Sequence, residues 1–256
     1  MHEKVIAKFK NMKSLIYPRT ISIVILFVIY DCLSLSQNSK LTWDFPIRPG
    51  TPEWALLDSY ESKLAAYNIP ENILDSLSTN ALVDACFSYP EWRLIDTRNS
   101  YCDGLRYVLS LFNGFNKLFE KKDGASILVS RYKNIDPTEI KKDWSMEEIG
   151  ENGFKIVYLE LLLSQPIILS YLTLDQENDL LLEAIEKYNS KKSLPNIYSL
   201  YGLCPTVMIC ATILERNNFS KELDQSKLIF LTHFGLINDL KFLDEVVLQS
   251  ELYLNK

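Results

Sequence analysis

The sequence predicts an all-α protein: an irregular multi-helix bundle or superhelix of about nine to eleven helices after an N-terminal signal segment. Three observations carry that expectation. Apolar residues recur at spacings of three and four along nearly the whole chain after Thr51. No stretch alternates β-branched and polar residues around a hairpin turn. Glycine is scarce, 8 in 256 residues, and Asp103-Gly104 and Asp123-Gly124 both lie in helical context.

The opening residues read as a signal peptide. Lys4, Lys8, Lys10, Lys13 and Arg19 precede the uncharged block Ile21–Tyr30, and Ser34-Leu35-Ser36-Gln37 follows. Positive charge, a short apolar core and small residues near a cut form that layout. A bilayer-spanning helix needs about 20 apolar residues, and Asp31 interrupts the run. Ser34 and Ser36 fit the −3 and −1 positions of a cut after Ser36, and Met12 offers an internal start. Two alternatives stand beside cleavage: an uncleaved anchor over 21–35, and lipoprotein processing at Cys32, for which Asp31 is a poor preceding residue. The expected organisation is a signal peptide at 1–36, an extended tether at 37–50, and a single helical domain at 51–256.

The tether, Asn38–Gly50, carries two prolines and a closing glycine with little periodicity. Thr51-Pro52-Glu53 starts the first helix with a capping hydroxyl and a first-turn proline. Leu57, Tyr60 and Leu64 follow on one face. Pro70 opens a short helix with Ile73, Leu74 and Leu77. Ser78 caps the next, which turns Leu82, Val83, Cys86 and Phe87 inward and ends at Tyr89-Pro90. Tyr101, Leu105, Val108, Phe112, Phe115 and Phe119 step by four and three, so one continuous amphipathic helix is expected over 101–119. Asp123-Gly124 should break it and begin another. Ser145 with Glu148 forms a capping box at the head of a long helix through Leu163. Gln165-Pro166 restarts the chain. Asp175–Tyr188 follows, with Leu180, Leu181, Ala184 and Ile185 inward. Ile197–Leu203 and Thr206–Leu214 read as a helix pair parted by Gly202 and Pro205. The last segment, 227–254, should break near Gly235.

Charge and chemistry narrow the function. Residues 1–36 hold five Lys/Arg against two Asp/Glu, so the remainder carries −9 where the whole chain carries −6. An acidic domain repels phosphates, which argues against nucleic-acid binding. Contact with a membrane is expected only through the N-terminal segment. His233 is the single histidine beyond residue 2. It ends an apolar helix, where a structural role is expected. No phosphate-binding, dinucleotide-binding, zinc-protease or nucleophile-elbow motif occurs, and no ligand spacing suits a metal. No cofactor is therefore expected. Cys86, Cys102, Cys204 and Cys210 contain no CxxC pair. Cys86 and Cys210 sit in apolar helical patterns and read as buried thiols. Asn218-Phe219-Ser220 matches a glycosylation sequon, relevant only to a eukaryotic secretory route.

Paired carboxylates are the catalytic chemistry left open, since two acids suffice for glycoside hydrolysis. Glu160, inside Tyr158-Leu159-Glu160-Leu161-Leu162, is the one acid whose burial would matter; it is expected to point to solvent. Trp43, Phe45, Arg48 and Trp54 are the candidate binding residues because they flank the tether. The competing reading is that these aromatics pin the tether to the domain.

The string Phe45-Pro46-Ile47-Arg48-Pro49-Gly50-Thr51-Pro52-Glu53-Trp54 resembles the mature N-terminus of a set of exported, uncharacterised proteins of the Bacteroidetes with an FPxxPGTxEW-like opening. Further similarity lies in Ile69–Leu74, Ser78-Thr79, Leu159–Pro166 and Tyr198–Leu203, so the resemblance spans most of 45–216. It implies an exported all-helical domain and supplies no activity or catalytic residue. The expected function is that of a non-enzymatic binding or interaction module in the envelope or outside the cell, with a protein or glycan partner. The alternative is a carboxylate-dependent hydrolase acting on a glycan or peptide.

Overall fold

Side-chain caps open eight of the described helices. The computed structural model describes residues 41–141 and 143–256; the signal peptide, the anchor and Cys32 lie outside them. Among the described residues there are fourteen helices, nine of seven or more residues, and no strands.

Thr51 accepts the Trp54 amide at the head of α1 (Pro52–Ala55), as its hydroxyl and Pro52 predict. Ser59 and Ser62 cap α2 (Tyr60–Ala65) reciprocally. Short α3 (Glu71–Leu74) and α4 (Thr79–Phe87, capped by Ser78) follow. A 3-10 turn, Trp92–Thr97, leads into α5 (Tyr101–Leu111) and α6 (Asn113–Glu120). Then come α7 (Lys122–Lys133), α8 (Met146–Leu163) with its Ser145–Glu148 capping box, and α9 (Pro166–Leu169). The chain closes with α10 (Leu174–Lys192), α11 (Pro195–Arg216), α12 (Gln225–Phe234) and α13 (Leu240–Leu254).

Three expectations need correction. The stretch 101–119 is two helices, because Phe112 adopts an extended backbone (φ −133°, ψ 121°). Asn113 explains the break. Its amide accepts from and donates to the Ile69 backbone (2.9 and 2.7 Å), and its own N–H donates to the Asn68 side chain (2.9 Å). Those bonds replace a helical turn with a tie to the segment before α3. The break before α7 falls at Lys121, and Gly124 is buried inside that helix against Leu118. The expected helix pair at 197–214 is parted at Ser199 (φ 47°, ψ −174°) and not at Gly202 and Pro205, which the helix after the kink runs past.

α11 is the axis of the fold. It packs against α8, α10, α12 and α13, while α7 bridges α4, α8 and α10. Its apolarity and 22-residue length would suit a membrane crossing, yet 72% of the apolar window is buried inside the protein, as in a core helix. Gly235 ends α12 in the left-handed region (φ 77°), which glycine enters without steric cost.

From Thr42 onward the tether belongs to the same compact unit as the helices, which runs to Lys256. An aromatic chain ties it down. Phe45, 3% exposed, meets Tyr67, Tyr89 and Phe112 at centroid distances of 5.7, 6.2 and 5.5 Å. The rings continue through Phe115 and Trp92 to Tyr158 and Phe154 on α8. Each such pair adds about 0.5–1.5 kcal/mol beyond area burial. The thiols of Cys86, Cys102, Cys204 and Cys210 are all free.

Candidate functional site

The helix α8 carries both the most unusual interior chemistry and the most indented surface. Its C-terminal half, Ile156–Leu163, is buried on every side, because α5, α7, α9 and α11 pack against the helix. Glu160 therefore cannot reach solvent. The expectation that it points outward is overturned: it is 0% exposed. At helical period it lies four residues after Ile156 and three before Leu163, which is the inward face.

A complete polar network meets it. Lys191 of α10, also fully buried, donates to Glu160 Oε2 at 2.6 Å, to the Gly202 carbonyl at 3.1 Å and to Thr206 Oγ1 at 3.0 Å. Tyr132 and Thr206 each donate to Glu160 Oε1 at 2.8 Å. Every ammonium proton is used and both carboxylate oxygens accept, the condition under which a buried ion pair persists. Burial pulls the Lys191 ammonium below its ordinary range and Glu160 opposes that pull. Burial pushes the Tyr132 phenol far up, and Glu160 adds to it. Lys191 also had a legible signal: it continues the inward series Ala184, Tyr188. No lining of a described recess includes Glu160 or Lys191, so the network holds the core together and is closed to substrate.

On the outer flank, α8 lines three adjacent recesses. The largest, about 810 Å³, lies between α4, α7 and α8, with Phe87, Ile127, Ile135 and Leu159 among its apolar residues. Its polar edge includes Lys155 and the Arg131–Asp84 ion pair (2.6 Å). A second recess of about 300 Å³ shares Phe87, Ser88 and Lys155 with the first and adds Trp92 and Tyr158. The hydroxyls of Tyr89 and Tyr158, both at this recess, are buried without a hydrogen-bond partner among the described residues. Across its mouth Arg93 pairs with Glu151 at 3.4 Å. A third, of about 320 Å³, shares Phe154 with the second and is completed by Asp96, Tyr101, Tyr198, Tyr201 and the kink residue Ser199.

The residues named at the tether are placed differently. Phe45 is enclosed by rings and adopts φ 43°, so it presents no contact surface. Trp43 and Trp54 are half-buried against the core; Trp54 lies 5.3 Å from Tyr67. Arg48 is exposed and pairs with Asp44 at 3.2 Å. The four do not converge on a recess.

His233 lies exposed on the last turn of α12, with Nδ1 3.0 Å from the Ile229 carbonyl. It shares a recess of about 390 Å³ with Cys102 and Glu215. Burial pushes the Cys102 thiol up to about 11, so the thiolate that nucleophilic chemistry needs is disfavoured. Burial also raises the Glu215 carboxyl, with His233 opposing it. Among the described residues no group of three or more His, Cys, Asp or Glu side chains could hold a metal ion.

No protein-family model, curated protein or solved structure matches this chain.

Proposed function

We propose that the chain is an exported, non-enzymatic helical module that binds a macromolecular partner, protein or glycan, in the cell envelope or outside the cell. The observation that carries this reading is the row of three contiguous recesses along the outer flank of α8. Apolar residues with polar neighbours suit partner side chains or sugar units docked in grooves between helices. The basic, apolar, small-residue order of residues 1–36 supports export, as does the resemblance of residues 45–54 to exported Bacteroidetes proteins. The rival hydrolase needs two carboxyls converging on one pocket. Each of the four recesses described has a single carboxylate in its lining: Asp84, Glu215, Asp96 or Glu151.

Two measurements test the proposal. Sequencing the protein recovered from fractionated cells should give a mature N-terminus at Gln37; a cytosolic chain starting at Met1 or Met12 sinks the export reading. For binding, the full chain with a C-terminal tag is cross-linked in cells beside an Ile127→Glu, Lys155→Glu variant. A partner captured by the wild type and reduced by about tenfold or more in the variant is expected. Equal capture by both, or turnover of a glycan or peptide by the purified protein, overturns it.

A further inference from the structure

The third recess has a chemistry of its own. Asp96 is its one carboxylate, and among the described residues no Lys or Arg pairs with it within ion-pair distance. Arg93, whose charge acts on it, is engaged by Glu151, and Asp96 itself is exposed. The wall is aromatic: Tyr101, Phe154, Tyr198 and Tyr201 line it, and Tyr201 is 62% exposed at the rim. The Lys191 ammonium already lies 5.3 Å from the Tyr198 ring, neutralised by Glu160.

Two observations set this recess apart. Gly150 and Gly153 sit in the interior of α8, where glycine weakens a helix. Packing does not demand either one. A Cβ at Gly150 would meet nothing within 4 Å, and one at Gly153 only Tyr198 Cε1 at an ordinary 3.8 Å. Both line this recess. The same recess contains the kink of α11, with Ser199 held at φ 47°. Strained backbone persists where the surroundings enforce it and concentrates at ligand sites. At Gly104, by contrast, a Cβ would lie 2.3 Å from the Ile95 carbonyl oxygen.

An unpaired carboxylate among aromatic side chains attracts a diffuse, weakly hydrated cation, and the Phe154 ring already has the Arg93 guanidinium 5.9 Å over it. We propose that the recess between the 3-10 turn, α5, α8 and α11 is a binding site for an alkylammonium group, with Asp96 as counter-charge and Tyr101, Phe154, Tyr198 and Tyr201 as its aromatic wall. Partial burial raises the Asp96 carboxyl above its ordinary range, with Arg93 opposing, and a cation in the recess would offset that burial. The site stands independently of the macromolecular partner, because a free small molecule can fill it.

The test uses the full chain and choline, with 3,3-dimethylbutan-1-ol as its uncharged isostere, in calorimetric titration. Choline is expected to bind with a Kd on the order of 1 mM or tighter, and the alcohol at least about tenfold more weakly. Asp96→Asn should lose about tenfold or more in choline affinity. Gly150→Leu, which puts a side chain into open space, should abolish binding with the thermal midpoint retained. Phosphatidylcholine vesicles identify the source of the group: co-sedimentation assigns a lipid headgroup, and saturable choline binding without co-sedimentation assigns a soluble ligand. The proposal is overturned if choline and the alcohol bind equally, if neither binds at roughly 50 mM, or if Asp96→Asn binds as the wild type does.

Discussion

Replacing Lys191 by Met strands a carboxylate in the centre of the molecule. Both partners are fully buried and 2.6 Å apart, so no water can substitute for the lost ammonium. Glu160 keeps the Tyr132 and Thr206 hydroxyls, but the Gly202 carbonyl loses the Lys191 donor. Removing one member of such a pair costs about 3–5 kcal/mol. That is a large share of the roughly 5–15 kcal/mol that holds a domain together. Adding Glu160→Leu removes the stranded charge but leaves the two hydroxyls unpaired, at about 1–3 kcal/mol each. Adding Tyr132→Phe and Thr206→Val as well should return stability to within about 2 kcal/mol of the wild type. Urea unfolding at neutral pH, followed by far-ultraviolet circular dichroism, measures the series. A loss below about 1 kcal/mol for Lys191→Met with an unchanged m-value would refute the reasoning. It would mean that Glu160 is hydrated or neutral in the folded protein.

The glycines of α5 and α8 should respond with opposite signs. Gly104→Ala drives a Cβ to 2.3 Å from the Ile95 carbonyl oxygen and should cost about 1–3 kcal/mol, whereas Gly150→Ala meets open space and should gain up to about 1 kcal/mol; urea midpoints report both. Phe45→Ala empties a ring-lined site and should cost about 3–5 kcal/mol, and a loss confined to proteolysis of residues 41–50 would show that the tether docks separately. Partial burial raises the Asp244 carboxyl, but hydrogen bonds from Lys192 and Tyr188 outweigh it and hold the group below its ordinary 3.8. The stabilisation is therefore full above pH 3.8 and is lost as pH falls through the lower folded value. Asp244→Asn should cost at most about 1 kcal/mol at neutral pH, given the half-exposed pair, and the difference from wild type should vanish once the pH lies below the lowered folded value. A gap that persists there counts against the pairing.

Much of the helical architecture was legible in the chain because its causes are local. Thr51, Ser78 and Ser145 cap helices through hydrogen bonds to amides two or three residues on, and apolar spacing marks the buried face of each helix. The errors arose where a distant partner decides. Asn113 breaks the helix at Phe112 by bonding to Asn68 and Ile69, over forty residues away. α11 runs past Pro205, and its kink falls at Ser199, which no residue nearby announces. Glu160 reads as a polar interruption until α7, α10 and α11 bring Tyr132, Lys191 and Thr206 to it.

The sequence by itself determined that this is a chain of capped, amphipathic helices with an apolar opening block and an acidic remainder, because caps, periodicity and charge are short-range properties. Only the tertiary structure decided that Phe45 is a pin, that Glu160 and Lys191 neutralise each other in the core, and that Asp96 faces a recess walled by tyrosines. Those facts depend on residues from separate helices meeting in space, and a carboxylate's environment is set by neighbours that its own segment does not contain.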